Sequence, residues 1–591
     1  MCGIIGYIGY RDAGEVITHG LKRMEYRGYD SWGIAVNNDD GLNVYKRVGA
    51  IGEIETVDIG NSTLGIGHTR WATHGEPSEI NAHPHLDCTR KLAVVHNGII
   101  ENFLSLRESL SAEGHEFASE TDTEVIAHLL EKNLNTSLEN ALIRSLPAMK
   151  GSYAIVVTNA GKRELVGCRY RSPLLLGIGD DEYFLASDVT AILEYTNRIV
   201  YLEDHDVVTI TDEGYTITNS GTSVERAIER IPWSLEDAQR GGYEHFMLKE
   251  IHEIPKIIEE TLLEYVTDTI NLDISLAAGT SEIIFFACGT SYHAALIGKY
   301  IIEEVSRIPV RVEYASESNY HRTPLTRSLV IGITQSGETA DTLNAMRRAK
   351  SFGAKVLAIT NVLGSSATRI ADHVIYTRAG PEIGVAATKT FIAQLIILYL
   401  IASKLAMPPI DETEKFLTEF RMLPEKIRQI LDNTQAITNI AKILAGHNSM
   451  IYIGRNRGYP IALEGALKMK EISYIHAEGY PAGELKHGPF ALLGAKTPVV
   501  ASVINDHTHE IMLNNIREVK TRGSLIVAIT DERDEEVERY VDFTIKTPAT
   551  SAIFAPITQA VTLQLLAYYT AKRIGCEIDK PKNLAKSVTV E

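Results

Sequence analysis

One α/β unit occurs twice in this chain, and the duplication restricts the fold more than any other feature. AKVLAIT (354–360) leads, twelve residues beyond Thr360, into DHVIYT, and SLIVAIT (524–530) leads at the same spacing into DFTIKT, so Asp372 aligns with Asp542, 170 positions on. ALIG (295–298) matches ALEG (462–465) at an offset of 167, a difference that one loop absorbs. Chance could give one such match, but not two in register. Apolar runs such as EIIFFACG, SLVIGITQ and AKVLAIT alternate with helix-length amphipathic segments, the pattern of parallel strands covered by helices. The repeat therefore reads as two doubly wound parallel-sheet units, 275–410 and 446–575, joined by a helical connector, 411–445.

The residues before the repeat follow a different grammar. Short alternating or β-branched runs such as SYAIVVTN (152–159) and VVTITDEGYTIT (207–218) make 2–235 strand-rich. WSLEDAQRGGY (233–243) is polar and aperiodic, so 236–274 reads as a linker with a leading helix, and 576–591 as a tail. A chain of 591 residues needs several cores, and 45% hydrophobic with 23% charged residues is globular composition. The net charge of −18 excludes a general nucleic-acid or anionic-membrane binder, so an anionic substrate must meet local donors. The apolar run from Phe391 to Ala402 falls short of the roughly 20 residues that span a bilayer and reads as a buried helix. The opening MCGIIGYIGYRD lacks a positive lead and reads as a first strand, not a secretion signal. Five scattered cysteines give neither a disulfide framework nor a CxxC pair, which suits a reducing cytoplasm. Among His68, His74, His83, His85 and His96 no HxxxH pair lies on a helix, and only the distant Cys88 could complete a set. Neither metal nor cofactor is expected.

Cys2 follows the initiator Met, and its small side chain permits removal of that Met. The freed α-amine could then act as base to its own thiol, an arrangement suited to attack on an amide carbonyl, although a second-position cysteine can also be accidental. In IGHTRWATHGEPSEINAHPH (66–85) the planar fork of Arg70 could take a carboxylate. LAVVHNGIIEN (92–102) ends a strand in Asn97-Gly98, whose amide and backbone N–H could face an oxyanion. SETDTEV (119–125) offers Asp122 as a helix cap or as a partner for a substrate ammonium. Taken singly, each has a structural explanation.

Together, CGIIGYIG, MEYRGYDSWG, GHTRWATHG, NAHPH, HNGIIEN and SETDTEV resemble the class II glutamine amidotransferase domain of the N-terminal-nucleophile hydrolases, over about 2–235. The resemblance implies an αββα sandwich in which Cys2 attacks the side-chain amide of L-glutamine. It also implies an oxyanion hole from Asn97 and Gly98, with Arg70 and Asp122 on the α-carboxylate and α-amine. Trp71, Thr73, His74 and His83 would line or gate the pocket.

In the first repeat copy, IIFFAC runs into GTS (289–291) and LVIGI into TQSGETADTL (334–343), each opening a helix. Two hydroxyl- and glycine-rich turns at helix N-termini suit a phosphate, with simple N-capping as the alternative. In ALEGALKMKEISYIHAEGYPAGELKHGP (462–489), Glu464, Lys468 and Glu471 share one helix face, as a solvated salt-bridge stripe also would. His487 sits in a Gly/Pro turn, and Lys586 lies in NLAKSVTVE (583–591), more apolar than a free tail should be.

The duplication and its turns resemble tandem sugar-isomerase (SIS) domains. With EIGVAATKTF, ALEGALK, ELKHGP and PKNLAKSVTVE, the chain resembles the isomerizing glutamine:fructose-6-phosphate aminotransferase family over nearly its whole length. The resemblance implies L-glutamine and D-fructose 6-phosphate as substrates, an internal ammonia route gated by Trp71, and a homodimer or dimer of dimers. It assigns Lys586 to a Schiff base at the ketose C2 and Glu471 to proton transfer between C1 and C2, with Glu464 and Lys468 beside it. His487 would assist ring opening, in cis or across an interface. Gly289, Thr290, Ser291, Thr334, Gln335, Ser336 and Thr339 would hold the phosphate, with Val385 near the sugar. The family more usually has Ser at Thr334 and Ala387, and Ala387 lacks the hydroxyl. Two rivals remain: another class II amidotransferase, which would need a nucleotide or pyrophosphate site in place of the SIS copies, and a non-catalytic phosphosugar sensor, in which Glu471, His487 and Lys586 would be dispensable.

Overall fold

The computed structural model describes residues 2–589 except 39, 53–56, 73, 232–239, 268, 321–324 and 407–409. Strand Gly3–Ile8 is buried along its whole length because both faces are covered, so GIIGYI is apolar throughout and does not alternate. It lies inside an eight-stranded antiparallel sheet, between Tyr183–Ala186 and Leu64–Arg70, with Ser31–Asn38 and Gly41–Val48 beyond. A seven-stranded sheet faces it, with Leu92–Ile100 antiparallel to Gly151–Asn159. Ile4, Ile66, Val95, Val156 and Leu165 fill the space between the sheets. Helix Ala13–Arg23 covers the outer face of the first sheet, and helices Glu124–Asn133 and Leu138–Ser145 cover that of the second. The layer order is αββα.

Two five-stranded parallel sheets follow, and their strand orders coincide. One runs Val310–Tyr314, Glu282–Ala287, Ser328–Thr334, Lys355–Thr360, His373–Tyr376; the other runs His476–Pro481, Ser449–Gly454, Val499–Ser502, Ile526–Asp531, Phe543–Thr547. The repeat extends to single hydrogen bonds. Asp372 Oδ2 accepts the Val356 N–H at 2.9 Å while Lys350 pairs with Oδ1 at 2.7 Å. Asp542 Oδ2 accepts the Ile526 N–H at 2.8 Å while Lys520 pairs with Oδ1 at 2.5 Å. All three positions shift by the same 170. Gly298 and Gly465 also correspond. Helix Gly289–Ser306 meets Leu398 of helix Lys389–Ala406, and helix Gly458–Ser473 meets Leu563 of helix Ala555–Ile574, at glycines where a methyl group would come within 3.0 and 2.8 Å.

One apolar core serves both copies. It runs from Met247 and Ile251 through Phe285, Phe391 and Leu398 to Tyr452, Met469, Leu565 and Tyr568, and each sheet keeps a smaller core of its own on its other face. Helix Lys389–Ala406 has the length and composition to cross a membrane, but 83% of its apolar window is buried in this core. Helix Phe246–Tyr265, from the segment read as linker and leading helix, is a layer of the same core, and the helical connector adds Phe420, Leu423, Ile427 and Ile440. Residues 233–239 of the expected linker lie outside the described residues.

Candidate active sites

Cys2 stands beside the C-terminal end of Leu64–Arg70 because the two strands are antiparallel, with Gly3 opposite Thr69. The Trp71 N–H donates to Cys2 Sγ at 3.2 Å, and Asn97 Nδ2 donates to the Cys2 carbonyl at 3.0 Å. Burial pushes the Cys2 thiol up, while the Trp71 N–H and the Arg70 charge pull it down. Gly98 has φ +127°, and a Cβ there would lie 2.0 Å from the Ser152 carbonyl oxygen, so no other residue fits this bend. Arg70 Nη2 donates to the carbonyls of His74 and Gly75, while its buried Nη1 has no hydrogen-bond partner among the described residues. Asp122 Oδ2 accepts the Ile100 N–H at 2.8 Å, and Oδ1 stands 3.9 Å from His74 Nδ1. One uncommitted guanidinium nitrogen and one carboxylate oxygen are what the α-carboxylate and α-ammonium of an amino acid need.

Trp71 is half-buried and meets Tyr29 edge-on at 5.7 Å. Thr73 lies outside the described residues. His83 is buried, stacked on His68 at 3.9 Å and accepting the His96 N–H at 3.3 Å. His68 Nε2 donates to Asn97 Oδ1 at 3.0 Å, which turns Asn97 Nδ2 toward Cys2. Burial lowers His68 to about 3 and takes His83 and His85 well below their ordinary value, so the stack is neutral.

A second cluster forms where the repeat copies meet. Helix Gly289–Ser306, which Gly289 opens at φ +52°, brings Thr290 and His293 to Glu464, Lys468 and Glu471 of helix Gly458–Ser473. Thr290 Oγ1 donates to Glu464 Oε1 and accepts from Lys468 Nζ, both at 3.1 Å, and His293 Nδ1 meets Glu464 Oε2 at 2.7 Å. Lys468 Nζ stands 2.6 Å from Glu471 Oε2 and 3.5 Å from Glu464 Oε1. This is no solvated stripe: Lys468 is fully buried and Glu464 is 2% exposed. Burial works against the Lys468 charge, but Glu471 and Glu464 hold its ammonium above the ordinary value. Ser291 Oγ accepts from Gln394 Nε2 at 3.1 Å.

Lys586 reaches a third set of groups, pairing with Glu382 and donating to the Gly384 carbonyl at 2.7 Å. Burial pushes the Glu382 carboxyl up, but Lys586 and the N–H groups and hydroxyl of Thr388 and Thr390 hold it below the carboxylate range. Glu250, bonded to the N–H groups of Ile383 and Gly384, is pushed up to about 8 by burial and by Glu382. The turn at 334–339 is closed by the Thr334 and Thr339 hydroxyls at 3.0 Å and by the Glu338 N–H on Ser336 Oγ at 3.1 Å. The Val588 carbonyl accepts the Ala340 N–H at 3.0 Å, and the Val385 N–H donates to the Asp579 carbonyl at 3.0 Å. Gln335, Ser336, Glu382 and Lys586 line a cavity of about 100 Å³ whose facing wall includes Tyr26, Arg27 and Arg169 of the first half. The tail is fixed to that half as well: Lys580 pairs with Glu25, and Tyr29 Oη donates to the Pro581 carbonyl at 3.1 Å.

His487 is exposed at the end of a 3₁₀ turn and has no hydrogen bond or ion pair to any of these groups among the described residues. Glu250, His293 and Glu382 escaped the sequence reading. Glu382 lies inside EIGVAATKTF and His293 nearly one turn past Thr290. A lone polar group in an apolar string was the available signal.

The SIS domain family matches residues 278–404 and 443–572, and the glutamine amidotransferase domain family matches 68–194. A glutamine–fructose-6-phosphate aminotransferase (isomerizing) of Caldanaerobacter subterraneus subsp. tengcongensis is 47% identical over 100% of both chains. This chain belongs to that family. Another of these isomerizing aminotransferases, from Thermococcus kodakarensis, is 49% identical, again over 100% of each chain. Among solved structures, the C-terminal domain of glucosamine-fructose-6-phosphate aminotransferase from Francisella tularensis is 38% identical with a TM-score of 0.56, covering 58% of this chain and 100% of its own.

Proposed function

We propose that the chain hydrolyses L-glutamine at Cys2, passes the ammonia internally, and uses it to convert D-fructose 6-phosphate into D-glucosamine 6-phosphate. The observation that carries this reading is the joint between the halves. One cavity takes walls from both and holds Lys586, while Tyr29 touches Trp71 on one side and the lysine-bearing tail on the other. Ammonia released into water would be protonated, so coupled chemistry requires an enclosed route.

With the initiator Met removed, the Cys2 amine takes the thiol proton and the thiolate attacks the glutamine side-chain carbonyl. Asn97 Nδ2, which keeps one hydrogen beyond its bond to Cys2, and the Gly98 N–H meet the oxyanion. The amine returns its proton to the leaving ammonia, and water hydrolyses the thioester to glutamate. Arg70 and Asp122 hold the substrate's two charged groups.

In the second half, the neutral amine of Lys586 adds to C2 of the open-chain ketose. Glu382 can take the lysine proton, and loss of water leaves an imine. Ammonia then displaces the lysine at C2. Glu471, paired with Lys468, removes a proton from C1, and reprotonation at C2 gives the 2-amino aldose. The turns at 289–291 and 334–339 hold the phosphate, with Val385 beside the sugar. His487, exposed in its own chain, serves ring opening from a partner subunit in a homodimer or dimer of dimers. Five free thiols suit a reducing cytoplasm.

Incubation with glutamine and fructose 6-phosphate should yield glutamate and glucosamine 6-phosphate in equal amounts. Glutamate without amino sugar would sink the reading. Cys2→Ala should abolish glutamine-dependent synthesis and leave slow isomerisation of fructose 6-phosphate.

A further inference from the structure

We propose that Cys88, His115, His128 and Glu131 form a binding site for a divalent ion of the zinc class on the outer side of the glutaminase half. Cys88 was read from the sequence as too distant from the histidines for a metal set, but the fold lays it against two others. Its Sγ stands 3.7 Å from His115 Nδ1 and 3.5 Å from His128 Nδ1. Glu131 Oε2 stands 2.9 Å from His115 Nδ1 and 3.3 Å from His128 Nδ1. All four donor atoms lie within 4.8 Å of one another, the one such group among the described residues. Ligands at about 2.0–2.3 Å from a tetrahedral ion stand about 3.3–3.7 Å apart, so the spacing needs little adjustment.

The donor chemistry fits as well. One thiolate, two imidazoles and one carboxylate make a neutral complex with a divalent cation, and binding releases the Cys88 thiol proton. His128 and Glu131 lie three residues apart on helix Glu124–Asn133, and Cys88 is exposed, which leaves an entry path. The far nitrogen of the buried His128 ring points at Glu124 Oε1, 3.8 Å away, as a supporting carboxylate does behind a metal-bound histidine. Glu124 in turn accepts the N–H groups of Ala118 and Ser119 at 2.8 and 2.7 Å. The ion would therefore grip the segment before Asp122 twice, through His115 directly and through His128 and Glu124. Its expected effect is on the affinity for glutamine, not on the chemical step.

The test uses the full chain stripped with a chelator. Cobalt(II) should bind at one equivalent with thiolate-to-metal absorption that survives Cys2→Ala but disappears in Cys88→Ser and His128→Asn. Restoring zinc should lower KM for glutamine severalfold with kcat unchanged. In the unmutated protein, zinc should also protect Cys88 from alkylation mapped by mass spectrometry, a readout independent of how the variants fold. Absorption lost with Cys2 and kept without Cys88, or alkylation of Cys88 indifferent to zinc, would overturn the proposal.

Discussion

A methyl group on Gly98 would meet the Ser152 carbonyl oxygen at 2.0 Å, so the residue is glycine for reasons of both space and φ. Its neighbour Asn97 can be tested more cleanly. Asn97→Ala should lower kcat for glutamine hydrolysis by about 10²–10³ with KM nearly unchanged, the usual cost of one oxyanion donor, in steady-state assays of glutamate release. Lys586→Arg keeps a cation for Glu382 but cannot form the imine, and should abolish amino-sugar formation while glutaminase activity persists. At this scale the sequence singles out candidates where chemistry is written in short strings: Cys2, Arg70, Asn97, Gly98 and Asp122 each sit in one. Glu382 and His293 were not readable, because each acquires its role from a partner far along the chain. Lys586 lies 204 positions from Glu382, and Glu464 lies 171 from His293.

At the scale of elements, the duplicated aspartates offer a paired measurement. Asp372→Ala and Asp542→Ala each remove an acceptor for a strand N–H and a lysine partner, in sites about equally exposed. Each should destabilise by about 1–2 kcal/mol, and the two values should agree, as read by denaturant unfolding. The repeat and the parallel sheets were legible because apolar runs and their spacing record them, whereas the αββα layers followed only from the family resemblance of the first half. The helices around 246–265 and 410–444 were read as spacers, since an amphipathic helix does not announce what its apolar face will cover.

For the whole molecule, the contacts between halves set the coupling. Breaking them with Tyr29→Phe and Lys580→Ala should leave glutamine hydrolysis intact and let ammonia escape, so glutamate should exceed amino sugar in product counts. Stability should also depend on pH through Glu250. Its carboxyl sits at about 8 when folded against an ordinary 4.5, so the folded state binds that proton more tightly. The contribution is complete below about pH 4.5 and is lost as pH rises through about 8, and Glu250→Gln should flatten that slope in unfolding measured across pH. The core that runs unbroken from Met247 to Tyr568 has one further consequence. Either sheet cut out alone would present a broad greasy wall to water. The pair can therefore be gained, lost or melted only together, and a gene for a single copy would yield a polypeptide obliged to find its twin.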